Sequence, residues 1–152
     1  MRESMQITGP ANEQPENSAR NTMNHAKRIL LIDDEEVITF GFAKVLQEPG
    51  IEVHCANTME AAHEYIAHNI YAAAIIDLRL SNSVEIEGLS CVRLLRASQS
   101  DCRIIILTAY GNLREQANAL GINRFFEKPL SPEKIRETLE EFGIYKNSVV
   151  SG

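Results

Sequence analysis

The stretch RILLIDDEEVITFGFAKVLQ, Arg28 to Gln47, changes texture halfway along. Arg28 to Ile32 is a short apolar run without alternation, the pattern of a strand buried on both faces. Two acids follow, Asp33 and Asp34, and from Glu35 to Gln47 apolar residues return at helical spacing. Val37, Ile38, Phe42, Val45 and Leu46 are the side chains that this helix has to bury. A buried strand that runs through an acidic turn into an amphipathic helix is half of a β-α-β unit, and such a strand needs helices on both sides of its sheet.

Outward from this unit the same alternation repeats. Further strands are expected at Ile51 to Cys55, Ala73 to Ile76, Arg103 to Leu107 and Ile122 to Phe126, with helices at Thr58 to His68, Leu89 to Ala97 and Leu113 to Leu120. A last helix opens with Ser131, a capping residue, and Pro132, suited to the first turn; its Ile135, Leu139 and Phe142 share one face. The pattern predicts an α/β fold with a doubly wound, five-stranded parallel sheet and right-handed crossovers. Residues 1–26 are polar, carry two prolines and lack periodicity, and are expected to be a disordered extension. Residues 27–145 form the domain, and 146–152 are a tail or the start of a linker.

With 152 residues and 44% hydrophobic content the chain supports one domain with a core of its own. A net charge of -6 disfavours direct nucleic-acid binding or an anionic membrane surface, and leaves proteins, metal ions and small molecules as partners. Cys55, Cys91 and Cys102 show no CxxC spacing and read as buried reduced thiols. No run reaches transmembrane length and no signal peptide is evident, so the expected location is cytoplasmic.

Open parallel sheets bind ligands outside the carboxyl ends of their strands. Here the first strand ends in Asp33 and Asp34, the third in Asp77, the fourth in Thr108, and the fifth in Glu127, Lys128 and Pro129. Taken alone, Asp33 or Asp34 reads as the cap of the helix at Glu35. Capping does not account for acids, a hydroxyl and an amine gathered at one edge. Three carboxylates within about 5 Å repel by roughly 3 kcal/mol per pair at an effective dielectric near 20, and a hard divalent cation, Mg²⁺, offsets that repulsion. A carboxylate nucleophile beside a metal, an amine and a hydroxyl is the equipment of in-line phosphoryl transfer onto Asp77.

These residues resemble the receiver domain of two-component response regulators over essentially all of Lys27 to Tyr145. The resemblance rests on ILLIDDEE with Asp33 and Asp34, AAIID with Asp77, IIILTA with Thr108 and FFEKPLS with Lys128 and Pro129. It implies the flavodoxin-like strand order 2-1-3-4-5, and a function as a phosphorelay receiver that is not an enzyme acting on outside substrates. Asp77 would accept a phosphoryl group from a phosphohistidine on a sensor histidine kinase or phosphotransfer protein, and would assist its own phosphorylation and dephosphorylation. Asp34, Asp77 and the backbone carbonyl of Arg79 would bind Mg²⁺ directly, with Asp33 acting through water. Lys128 would pair with the acceptor and its bond to Pro129 would be cis. Thr108 and Phe125 would form the switch, biasing a surface that runs from Gly111 to Leu120 and takes in part of the last helix. The output would be a downstream protein target or an output domain outside this chain.

The family's proline four residues after the acceptor and glycine eight after it are Ser81 and Glu85 here; Gly88 takes the glycine's place, which implies a loop three residues longer. Arg79 and Tyr110 would flank the phosphoryl site. Two other classes compete with this reading. A phosphohydrolase of the haloacid-dehalogenase type needs a second Asp two residues after the first, where Arg79 stands. A degenerate receiver serving as a constitutive binding module is opposed by the full set of Asp33, Asp34, Asp77, Thr108 and Lys128. His63 and His68, five apart on a helix, point about 140° away from each other and cannot share a metal. No GxGxxG, GxxxxGK or GxSxG motif occurs.

Overall fold

The computed structural model describes residues 26–79 and 87–145; residues 1–25, 80–86 (with Ser81 and Glu85, where the longer loop is expected) and 146–152 lie outside the described residues. In chain order the elements are β1 (Lys27–Ile32), α1 (Glu36–Leu46), β2 (Ile51–Ala56), α2 (Met59–His68), β3 (Ala73–Ile76) and α3 (Glu87–Ser98). They continue with β4 (Arg103–Thr108), a 3-10 turn (Gly111–Leu113) leading into α4 (Arg114–Ala119), β5 (Arg124–Glu127) and α5 (Pro132–Glu141). The sheet is parallel with spatial order β2-β1-β3-β4-β5, the order that the family resemblance implies.

Period-two alternation inside each apolar run divides the core in two, because successive strand side chains point to opposite faces. Leu30, Ile32, Ala74, Ile76, Ile104 and Ile106 pack beneath α2, α3 and α4 with Ile66, Leu89, Val92, Leu95 and Ala117. Ile29, Leu31, Ala73, Ile75, Ile105 and Leu107 pack beneath α1 and α5 with Phe42, Leu46, Ile135 and Leu139. Each fully buried Leu or Ile contributes about 1.5 to 3 kcal/mol, so the central strands β1, β3 and β4 carry most of the apolar stabilisation. Their carboxyl ends therefore sit on the most rigid part of the molecule.

Local signals set most boundaries. Thr58 caps α2 by accepting from the Ala61 amide (3.0 Å), and Ser131 caps α5 by accepting from Lys134, with Pro132 in the first turn. In α1 the expected inward set is only partly right. Phe42 and Leu46 are buried, but Val37 is 82% exposed, and the buried place falls to Thr39, whose hydroxyl donates to the Glu36 carbonyl. β5 begins at Arg124 rather than Ile122. Ile122 packs against the core from a turn, where the Asn123 side chain instead of a strand partner accepts from the Ile104 amide (2.8 Å).

The end of the sheet away from the acids is tied by one side chain. Arg96 on α3 donates to the carbonyls of Gly121 (2.8 Å) and Cys102 (2.7 Å) and to Asn123 Oδ1 (3.0 Å). Gly121, at φ 86°, turns the chain out of α4, a conformation that other residues adopt at a cost. Among the described residues no helix is long and apolar enough to cross a membrane.

Candidate functional site

The four strand ends meet. β1 hands over to Asp33, whose amide still donates to the Ala56 carbonyl of the neighbouring strand, and β3 hands over to Asp77, whose amide donates to Ile32 (2.8 Å). Both acids leave the sheet held in the ladder, so their carboxylates start from fixed backbone. Among the described residues Asp33, Asp34 and Asp77 are the acids that gather closely enough to hold a metal ion, with one oxygen from each within 4.8 Å of the others. Asp33 and Asp77 are buried and Asp34 is half-buried.

Lys128, just past β5, reaches across the edge. Its Nζ lies 2.7 Å from Asp33 Oδ2, 3.1 Å from Asp77 Oδ2 and 3.5 Å from Glu35. The backbone amide of Lys128 donates to the Thr108 carbonyl (2.8 Å), which places the lysine beside the hydroxyl-bearing end of β4, and the Lys128–Pro129 bond is cis. Burial opposes the lysine's charge, but hydrogen bonds and attraction from Asp33 and Asp77 outweigh it and raise its pKa above the ordinary value. For Asp33 burial is the largest influence and raises the carboxyl's pKa, against the hydrogen bond from Lys128. Three carboxylates and one ammonium leave two negative charges in the pocket, which a divalent cation would neutralise. The donors are all hard oxygens, as Mg²⁺ requires, so the residues present fit that ion.

Each anion is also oriented by main chain. Asp33 Oδ1 accepts from the Glu35 amide (2.9 Å), closing a turn ahead of α1, while Glu35 itself caps that helix without a side-chain bond. Neither Asp33 nor Asp34 is therefore the cap of α1, whose N-cap is Glu35; one Asp33 oxygen closes the turn and the other meets Lys128. Asp77 Oδ1 accepts from the Arg79 amide (3.3 Å). Thr108 is fully buried at the end of β4, and its hydroxyl accepts from the Tyr110 amide (3.3 Å). The Arg79 guanidinium stacks 4.7 Å from the centre of the Tyr110 ring. The position two residues after Asp77 therefore offers a cation on an aromatic, and no carboxyl for the acid-base turnover that a haloacid-dehalogenase-type enzyme needs.

Phe125, on β5, is buried against the face that carries α4, and the Arg114 guanidinium lies 4.5 Å over its ring. Gly88 is pressed onto the backbone that follows Asp77. A Cβ there would stand 2.5 Å from the Asp77 carbonyl oxygen and 2.6 Å from Leu78 Cα, and the Gly88 amide donates to the Leu78 carbonyl (2.8 Å). Reading from the sequence missed two contributors, Glu35 and Asn57. Asn57, which donates to the Asp33 carbonyl, follows directly on β2, and Glu35 comes two residues after Asp33; closeness to a strand end at the acidic edge is the signal that could have found them. His68 is exposed, with its Nδ1 3.0 Å from the Glu64 carbonyl oxygen, and plays no part in this edge.

Residues 29–140 match the family described as the response regulator receiver domain. The chain is 29% identical over 115 residues to the photosynthetic apparatus regulatory protein RegA of Rhodobacter capsulatus, covering 74% of this chain and 61% of that protein. It thus spans less than two thirds of that relative's length. Among solved structures it resembles the response regulator TrrA of Thermotoga maritima in complex with Mg²⁺-BeF, at 29% identity and TM-score 0.65, covering 76% of this chain and 97% of that one. A Burkholderia pseudomallei response regulator with a phosphorylated aspartic acid, a calcium ion and citrate is 28% identical with TM-score 0.65, over 80% of this chain and 75% of that one.

Proposed function

The chain belongs to the response regulator receiver domain family, and from that premise we propose that Asp77 is its phosphoacceptor, taking a phosphoryl group from a phosphohistidine on a sensor kinase or phosphotransfer protein. The observation that carries this reading is the pair of contacts from Lys128 to Asp33 and Asp77, which holds an ammonium where phosphoryl oxygens would arrive. A carboxylate oxygen of Asp77 attacks phosphorus in line as the bond to the donor's imidazole nitrogen breaks, and that nitrogen leaves with the bonding electrons. Asp34, Asp77 and the Arg79 carbonyl would hold Mg²⁺, with Asp33 acting through water, and the ion would supply charge neutralisation there. Lys128 turns from the carboxylates to the phosphoryl oxygens. Thr108 donates its hydroxyl to another oxygen, and both contacts strengthen as charge spreads over the transferring group.

A donor that delivers a histidine to this edge must cover the start of α1. There Val37 and Phe40, 82% and 65% exposed, flank Gly41, around which an added Cβ would meet open space. Two apolar knobs beside a gap suit the side of a partner helix. Movement of Thr108 would then draw on Phe125 and on α4, whose buried stripe is limited to Leu113 and Ala117 with Leu120 at its edge. The switched surface would address a downstream protein or an output domain. Its buried free thiols, Cys91 and Cys102, suit the cytoplasm.

Incubation with Mg²⁺ and acetyl phosphate followed by mass spectrometry tests the reading. It expects a single phosphoryl adduct, absent from Asp77→Asn. Continuous phosphate release without an adduct would indicate a hydrolase, and neither adduct nor release would indicate a module that only binds.

A further inference from the structure

The β1–β2 ladder stops in register at Ile32 and Ala56, yet the next residue of each strand is still joined to its neighbour. The Asp33 amide donates to the Ala56 carbonyl (3.1 Å). The return bond comes from a side chain: Asn57 Nδ2 donates to the Asp33 carbonyl at 2.7 Å. The same amide nitrogen donates to Thr39 Oγ1 at 3.2 Å, whose own proton goes to the Glu36 carbonyl at 3.1 Å. Donor and acceptor roles agree all along this chain of bonds, and an inverted Asn57 amide would set oxygen against oxygen at the shortest contact. Asn57 is half-buried and Thr39 buried, so the bonds lie largely out of competition with water.

The acceptor of the short bond is the carbonyl of the peptide that joins Asp33 to Asp34. A peptide is planar, so fixing that oxygen fixes the direction in which Asp34 leaves the chain. The Asp33 carboxylate has its own restraints in Lys128 and the Glu35 amide, and neither of these holds the following peptide. We infer that Asn57 is a positioning residue for the metal site: by pinning the Asp33–Asp34 peptide to β2 and to the first turn of α1, it sets the Asp34 carboxylate in the orientation that Mg²⁺ binding requires. This rests on the reading of Asp33, Asp34 and Asp77 as the Mg²⁺ site. It adds an outer layer of support, of the kind that orients metal ligands without touching the ion.

The test is a titration of the full chain with Mg²⁺ alone, followed through backbone amide resonances, which report affinity and fold together. Asn57→Ala should weaken Mg²⁺ binding about fivefold, the equivalent of one ordinary hydrogen bond. Thr58→Ala, one residue on, removes the α2 cap and loosens the same connection without touching the pin; its affinity should stay within about twofold of the parent's. Asp34→Asn should lose most of the affinity. Should Asn57→Ala not fold, Asn57→Ser, whose hydroxyl stops short of both oxygens, carries the same comparison. Asn57→Ala binding as tightly as the parent, or no tighter and no weaker than Thr58→Ala, would overturn the inference. A parent chain that binds no Mg²⁺, or an unchanged affinity in Asp34→Asn, would overturn the metal reading beneath it.

Discussion

Gly88→Ala sets two opposed effects against each other. Gly88 lies in the first turn of α3, and alanine in place of glycine in a helix is worth up to about 1 kcal/mol from propensity and reduced freedom of the unfolded chain. Against this, the new methyl would stand 2.5 Å from the Asp77 carbonyl oxygen, 2.6 Å from Leu78 Cα and 3.0 Å from the Leu78 oxygen. Ordinary contacts need about 3.5 Å, so α3 and the end of β3 would have to part by roughly 1 Å. All three obstacles are backbone, and none can rotate aside. Overpacking of this kind costs typically 1 to 3 kcal/mol, and the rigid obstacles put this case at the upper end, for a net loss of about 2 kcal/mol. In a domain of this size that lowers the thermal midpoint by roughly 8 °C. Because the strain falls on the peptide of the acceptor itself, phosphorylation by acetyl phosphate should slow on the order of tenfold or more. Gly41→Ala in α1 is the internal control: nothing lies within 4 Å of the added carbon, so the helix gain should appear unopposed. Thermal melts of both variants decide the matter. A Gly88→Ala protein as stable as the parent would refute the close approach as the reason for glycine here.

Phe40→Ala should slow phosphoryl transfer from a partner kinase by on the order of tenfold, the loss of an exposed aromatic anchor, while leaving phosphorylation by acetyl phosphate unchanged; a parallel loss with both donors would remove α1 as the docking face. The double variant Arg79→Ala, Tyr110→Ala removes the stacked pair that follows Asp77 and Thr108 by two residues each, and should shorten the aspartyl-phosphate lifetime by opening the site to water, which decay of the adduct after removal of acetyl phosphate measures. Tyr145 donates to the Leu46 carbonyl at 2.7 Å, and burial pushes its phenol up to about 12 against the opposing Arg136 guanidinium. A raised value means that the unfolded chain loses this proton first, so the contribution is complete below about pH 10 and disappears as the pH climbs through 12. Tyr145→Phe should cost about 1 kcal/mol at neutral pH by urea unfolding and show a shallower decline above pH 10 than the parent.

The sequence disclosed the sheet because its strands are buried on both faces. A run such as Ala73–Ile76, closed by Asp77 at one end, has one sensible reading, and its observed limits are those expected. It was less informative where an apolar residue packs without being strand or inward helix. Ile122 meets the core from a turn, and Val37 satisfies helical period while pointing outward. Periodicity cannot register that Thr39 takes the inward place, since its burial depends on Asn57 and Glu36, one distant in sequence and the other a backbone partner. The acids, the hydroxyl and the lysine were legible together because strand ends converge by topology. The contacts between them were not. Which carboxylate Lys128 favours, and which backbone Gly88 touches, are set by side-chain reach and loop path, and neither leaves a pattern in one chain.

Arg96 gives the domain a mechanical asymmetry. Its bonds fasten the exit of α4 and the starts of β4 and β5 at one end of the sheet, while the entrance of α4, through Gly111 to Leu113, lies at the other end beside Thr108. A short helix fixed at its far end and lightly packed along its length is a lever with a defined pivot. From Gly111 to Ala119 it is roughly 13 Å long at 1.5 Å per residue, so a tilt of about 10° carries its free end some ~2 Å. A displacement beside Thr108 would therefore be largest at the helix entrance and die away toward the exit, and the guanidinium at the pivot would decide where the motion stops.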